Sequence, residues 1–369
     1  MHSGRLSRIR AEAQLLAEAF ANAGAVPVET LALQPADIFL DLYGEDIRAR
    51  AYMTHDPQSG EQMMRPDFTV PVVQMHMDGR AQGGRYTYSG PVWRKQDAVL
   101  ARASETLQVG FELFDEVDAA TADAEVFALF SDILAPLNLR ASTGDMGIVR
   151  AAIAGLSTLE VRKSALMRHL WRPARFRQLL ERFGGQVPVP AGRAALLDTS
   201  FSATAQALQD SALQIGLRDD SEILARIETL HSDADAAPLS KEEVRLLEDI
   251  LAIEDDAPVA LSMLREISGH LHAITPAVDL MERRLEALTA RGVAVDGLWF
   301  EGSYGRTTLE YYDGFVFGFY AADHPELAVV ASGGRYDALT AGLGQGRAIP
   351  AVGGVIRPEF VLAVRESGS

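Results

Sequence analysis

The run Arg85-Tyr86-Thr87-Tyr88-Ser89-Gly90-Pro91-Val92-Trp93-Arg94, followed by Glu105-Thr106-Leu107-Gln108-Val109-Gly110-Phe111-Glu112-Leu113-Phe114, constrains this chain more than any other stretch. Both segments read as strands, and the polar residues between them read as a loop. Strand side chains alternate between faces, so Gln108, Gly110 and Glu112 share one face while Val109, Phe111 and Leu113 line the other. A glycine between two hydrogen-bonding side chains leaves a dent. A solvated outer face of an antiparallel sheet gives the same alternation, so the pattern alone leaves both readings open.

With 369 residues, 48% hydrophobic and 23% charged, the chain can bury a large core and hold two domains or one with an insertion. No run has the span of a membrane helix, so no membrane role is expected. The N-terminus carries Arg5, Arg8 and Arg10 without the apolar stretch of a secretory signal. Cysteine is absent, which removes disulfides and thiolate chemistry and agrees with a cytoplasmic location. The formal charge of −17 argues against a broad nucleic-acid footprint and leaves room only for a local basic groove. Of the eight histidines only His270 and His272 are close, and two apart on an expected helix they diverge, so no metal site is expected.

Leu6, Ile9, Ala13, Leu16 and Phe20 follow helical spacing and predict a helix over 5–22, ended by Gly24. Residues 25–33 read as extended. Asp37 to Tyr43 is a short apolar stretch before a Gly44-Glu45-Asp46 turn, and a helix is expected over 121–137. Residues 139–143 read as extended up to the breaker Gly144-Asp145, where the texture changes. From 148 to 291 Leu, Ala, Arg and Glu recur at helical intervals, which predicts a mostly helical insertion. Strand texture returns at 297–302, 309–320, 327–331 and 351–356. The expectation is an α+β fold: an antiparallel sheet built from 1–147 and 292–369, interrupted by the insertion over 148–291.

Gly342-Leu343-Gly344-Gln345-Gly346 lacks the lysine and the strand-to-helix setting of a phosphate loop and reads as a turn. No nucleophile elbow is present.

Five blocks then match something specific. Arg65-Pro66-Asp67-Phe68-Thr69, Tyr88 to Arg94, Gln108 to Glu112, Leu309-Glu310-Tyr311-Tyr312-Asp313-Gly314 and Ser332-Gly333-Gly334-Arg335-Tyr336-Asp337 resemble, in order, the catalytic core of the histidyl-tRNA synthetases. The resemblance implies a class II synthetase fold and a histidine pocket, with no cofactor. By that resemblance Asp67, Thr69 and Gln108 would receive the α-ammonium, and Glu112 and Tyr312, with Tyr311 beside them, would bracket the imidazole. Gly333 and Gly334 would let backbone approach the ring, and Arg94 would face the carboxylate or a phosphate. Taken singly, each residue has a plainer reading: Asp67 as a turn or cap, Tyr311 and Tyr312 as strand formers, Arg335-Tyr336-Asp337 as a surface ion pair.

The departures matter equally. Phe360 stands where the third motif has an ATP-binding arginine, with Arg357 at a different position. Thr307 replaces the arginine used in histidine activation, with Arg306 adjacent. Gln96 replaces an acidic residue, and Leu31 replaces the first-motif proline. With the sequence ending at Ser369, soon after the third-motif region, no anticodon-binding domain like that of the synthetases is expected. This pattern resembles the synthetase-like regulatory subunits of ATP phosphoribosyltransferase. That resemblance implies a protein inactive alone, which activates a short catalytic subunit, forms a dimer within a hetero-octamer, takes histidine as feedback effector and does not bind tRNA. Two alternatives are a catalytic-core enzyme that activates histidine with ATP, relying on Arg306 or Arg357, and an unrelated α+β scaffold.

Overall fold

The computed structural model describes residues 2–43, 47–96, 103–115, 118–189, 191–198, 200, 202–203, 206, 219–306, 311–325, 327 and 329–367. The expected 44–46 turn, Thr307 and the Leu309-Glu310 end of the fourth block lie outside them.

Twelve strands are found among the described residues: β1 (Val26–Pro27), β2 (Leu33–Pro35), β3 (Met53–Asp56), β4 (Gly60–Met64), β5 (Gly84–Trp93), β6 (Glu105–Phe114), β7 (Arg140–Asp145), β8 (Glu254–Asp256), β9 (Trp299–Glu301), β10 (Phe315–Tyr320), β11 (Ala331–Arg335) and β12 (Ala351–Ile356). Nine of them form one sheet in the order β1-β5-β6-β12-β11-β10-β7-β9-β8, and β2-β4-β3 form a small second sheet. The large sheet is antiparallel except at β1·β5 and β7·β9. The β5·β6 pair runs in register from Gly84↔Phe114 to Trp93↔Glu105 and sets Tyr88 opposite Gly110.

One face of the sheet carries the helical core. Phe20, from the helix His2–Asn22, meets Phe111 at 5.6 Å and Phe130 at 5.2 Å. Phe127, from the helix Ala119–Leu134, packs on Phe315, Phe317 and Phe319 of β10. Each fully buried phenylalanine contributes about 1.5–3 kcal/mol. Gly24, at φ +90, ends the first helix as its position predicts. Asp118 and Asp145 cap the helices Ala119–Leu134 and Met146–Ala154 by accepting from Thr121 and Gly147 backbone N–H groups. Gly144-Asp145 is therefore a strand-to-helix junction.

A buried charge cluster crosses this layer. The Asp123 carboxylate lies between Arg284, whose Nε donates at 2.8 Å, and Arg335, whose Nε donates at 2.9 Å. Arg284 also lies 2.9 Å from Asp145. Arg335 is thus no surface residue, although it does pair with Asp337.

Four segments differ from their sequence pattern. The strand expected over 309–320 covers only Phe315–Tyr320 among the described residues, because Asp313 turns the chain before it by accepting from the Asp337 and Ala338 N–H groups. Ala36–Tyr43 is a helix. The strand expected over 327–331 is instead Ala331–Arg335, because Gly333 and Gly334, which disfavour a strand by propensity, are what lets this strand fit: a Cβ on Gly333 would lie 2.3 Å from the Gly353 carbonyl oxygen, and one on Gly334 would lie 2.6 Å from that of Phe315. Within 148–291, β8 pairs with β9 at the sheet edge, and the helix Thr275–Ala290 reaches Asp123 through Arg284.

Candidate functional site

The other face of the sheet holds the polar residues. Glu112, on β6, is fully buried, and three hydroxyls converge on it. Thr69 donates to Oε1 at 2.8 Å, Tyr88 to Oε1 at 2.9 Å and Tyr336 to Oε2 at 2.5 Å. Burial pushes its carboxyl up to about 7, and the three hydroxyls pull against that rise. Gly353 makes room for this carboxylate, since a Cβ there would sit 1.7 Å from Oε2.

The sequence left a dent above Gly110, but the structure fills it: the Tyr88 ring lies over that glycine, where a Cβ would meet the ring at 2.2 Å. Tyr88, Tyr336 and Tyr43 are members of the site that the sequence reading passed over. Tyr88 and Tyr336 both stand inside the five matched blocks. Tyr88 faces Gly110 directly across the pair, and an aromatic residue opposite a glycine is the signal that could have found it.

Asp67 and Thr69 stand at the start of the helix Thr69–Asp78. Asp67 accepts from the Val70 N–H at 3.2 Å; burial raises its pKa, and the Arg94 charge opposes the rise. Arg94 donates from Nε to the Pro66 carbonyl at 2.7 Å, which holds its charge beside Asp67. Tyr311 and Tyr312 are buried edge to face at 4.8 Å, and Tyr311 also meets Tyr43 at 6.3 Å and Tyr336 at 6.0 Å. Of the two glycines only Gly334 faces this group, with Tyr312 2.9 Å from its would-be Cβ. Gly333 faces Phe317 on the helical side, because successive strand residues point to opposite faces.

Open space lies at the other end of this face, in a cavity of about 670 Å³ lined by Gln108 and by five cationic side chains, Arg5, Arg50, Arg94, Lys95 and Arg357. Glu359 is the one carboxylate among its described lining residues. The Gln108 carbonyl oxygen is buried and has no donor among the described residues. Gln108 and Glu112 are four residues apart on one strand, about 13 Å between Cα atoms, with the Tyr88 ring between them. Arg357 lines the same cavity as Phe360, so its offset in sequence does not remove it from the site. It donates to Val329 at 3.1 Å and to Ser332 Oγ at 3.2 Å, and burial pushes it down to about 10, with Arg94 adding to the effect. Arg306 lines a different cavity.

A histidyl-tRNA synthetase family model matches residues 3–252 and 224–361. An ATP phosphoribosyltransferase regulatory subunit of Agrobacterium fabrum is 32% identical over 368 residues, covering 95% of this chain and 96% of that protein. The chain belongs to the ATP phosphoribosyltransferase regulatory subunit family. A regulatory subunit of Mesorhizobium japonicum is 31% identical, covering 98% of this chain and 99% of its own. Among solved structures, an ATP phosphoribosyltransferase regulatory subunit/histidyl-tRNA synthetase from Bacillus halodurans superposes with a TM-score of 0.66 at 21% identity, over 97% of this chain and 79% of that one. The histidyl-tRNA synthetase of Nostoc superposes with a TM-score of 0.61 at 16% identity, over 99% and 71%. The fold is α+β of the class II synthetase type, as the five blocks imply. Among the described residues no helix is long and apolar enough to cross a membrane.

Proposed function

We propose that this chain is a regulatory subunit that acts through a short-form ATP phosphoribosyltransferase catalytic subunit, raises its turnover in the first step of histidine biosynthesis, and carries the histidine response. The observation that supports this most is the end-to-end similarity to the Agrobacterium regulatory subunit, which covers nearly the whole of both chains. On this reading the chain works in the cytoplasm as a dimer within a hetero-octamer and neither transfers phosphoribosyl groups nor aminoacylates tRNA alone.

The residues of this face support histidine as the effector. Histidine presents an ammonium group, which suits the Gln108 oxygen, without a donor among the described residues, and the Asp67 carboxylate, and a carboxylate, which suits Arg94. Its imidazole N–H suits the buried Glu112 carboxyl as an acceptor. Glu112 is fully buried and already accepts three hydroxyls, so an imidazole reaches it only by moving side chains that cover it. Binding therefore favours a different arrangement of this face, and that preference is what a partner subunit can feel. A coupling of about 1–3 kcal/mol changes affinity roughly 5- to 150-fold.

A second reading, histidine activation with ATP, draws on Arg94 and Arg357 in the basic cavity. Against it, Phe360 supplies no charge there, Arg357 is already committed to Val329 and Ser332, and Arg306 lies elsewhere. Loss of one preorganised donor to a developing charge costs about 3–4 kcal/mol. Histidine-dependent ATP–pyrophosphate exchange separates the readings: the purified chain shows none, and measurable exchange overturns the regulatory assignment.

A further inference from the structure

The helix Asp337–Leu343 starts without a side-chain cap from its own N-cap residue. That residue is Tyr336, where Ser, Thr, Asp or Asn would ordinarily accept from the first turn, and its hydroxyl is spent on Glu112 Oε2 at 2.5 Å. Asp337 does not take over, since its Oδ1 accepts from Arg335 Nη1 at 3.0 Å and from the Ala351 N–H at 2.8 Å. The cap comes instead from upstream in the chain. Asp313 Oδ1 accepts from the Asp337 N–H at 3.0 Å and Oδ2 from the Ala338 N–H at 2.5 Å, one oxygen to each donor. A return bond runs from the Asp313 N–H to the Arg335 carbonyl at 3.0 Å.

Three bonds thus fasten Asp313 to the chain on both sides of Tyr336. The Tyr336 N–H is held by the Ala351 carbonyl of β12 at 2.9 Å, which leaves the other side of this residue to Asp313. Tyr311, two residues before Asp313, meets the Tyr336 ring edge to face at 6.0 Å, so the same clasp sets the ring from its flank. A hydroxyl-to-carboxylate bond weakens steeply with misalignment, and the aim of the Tyr336 hydroxyl therefore depends on where its backbone is held. Of the three hydroxyls on Glu112, that of Tyr336 does most to hold the carboxyl down against burial. We propose that Asp313 is a positioning residue for the Glu112 face: it supplies the cap that Tyr336 gives up and so keeps the Tyr336 hydroxyl on the carboxylate. On the histidine reading, and resting on it, the clasp sets how firmly this acceptor stays covered.

Removing the Asp313 carboxylate separates three roles by sign. Loss of the Tyr336 hydrogen bond raises the proton affinity of Glu112, loss of a negative charge acting through space lowers it, and loss of a helix cap alone leaves it unchanged. Asp313→Asn keeps the shape but turns an N–H donor toward one of the two N–H groups. The full chain, carrying carbon-13 at its glutamate carboxyls and free of histidine, is titrated by nuclear magnetic resonance, with the Glu112 signal identified by its absence in Glu112→Gln. Glu112 proton affinity should rise at least threefold in Asp313→Asn and similarly in Tyr336→Phe, with no further rise when the two are combined. Should Asp313→Asn fail to fold, as read by circular dichroism, Asp313→Ser decides, with a rise in the same direction. An unchanged or lowered proton affinity in the folded variant, or a full second rise in the Tyr336→Phe background, overturns the assignment. With no histidine present, the result judges Asp313 whether or not that amino acid binds this face.

Discussion

Replacing Glu112 by glutamine isolates the electrostatic state of the polar face. Burial raises this carboxyl from 4.5 to about 7, so between those values the folded chain holds a proton that the unfolded chain has released. The stability tied to this group is full below about pH 4.5 and is lost as pH rises through 7. The full difference is worth about 3 kcal/mol, of which about 2 kcal/mol falls between about pH 5.5 and 8.5. Glutamine keeps the shape, and the Thr69, Tyr88 and Tyr336 hydroxyls can turn to meet an amide, but it cannot ionise. Raised carboxyls whose charge does not act on Glu112, Asp313 among them, are common to both proteins and cancel in the comparison. Urea denaturation of both chains at the two pH values should show the stability of Glu112→Gln gaining on the native chain by about 2 kcal/mol toward high pH. A difference that stays constant, or that moves in favour of the native chain, refutes the idea that Glu112 is a desolvated carboxyl poised near neutrality.

Glu112→Ala should abolish calorimetric histidine binding while leaving the far-ultraviolet spectrum unchanged, and Gln108→Leu should weaken it about tenfold, the value of one hydrogen bond to a charged group; unchanged affinity in both contradicts the site. Arg335→Met leaves Asp123 with one partner in place of two and should lower stability by about 3–5 kcal/mol, seen as a clear fall in melting temperature. Gly353→Ala puts a methyl group onto Glu112 Oε2 and the Phe111 carbonyl, so it should lower both stability and histidine affinity; a stable variant of native affinity contradicts the close packing.

The strand pair and its two faces were legible because period-two alternation is a local property, and β5 and β6 lie within one or two residues of where it places them. Glu112 and Gln108 share a face for the same reason. What surrounds them was less legible. Tyr88 reaches Glu112 across a strand pair, and Tyr336 reaches it over a sequence separation of 224 residues, so neither partnership leaves a periodic trace. The missed β11 shows composition overridden by packing: Gly333 and Gly334 disfavour a strand by propensity, yet only glycine fits between β10 and β12 there. Glu254–Asp256 has no strand texture because it is a three-residue sheet edge whose side chains are exposed or half-buried, where burial selects little. Phe360 and Arg357 could not be weighed from their order along the chain, since the fold brings both to one cavity.

The most direct test of the regulatory account is the turnover of the short catalytic subunit with and without this chain as histidine is titrated. The account predicts higher turnover when the chain is added, a fall as histidine saturates, and a Glu112→Ala complex that keeps the gain but no longer responds to histidine. Turnover unchanged by adding the chain, or a histidine response identical in the native and Glu112→Ala complexes, contradicts it.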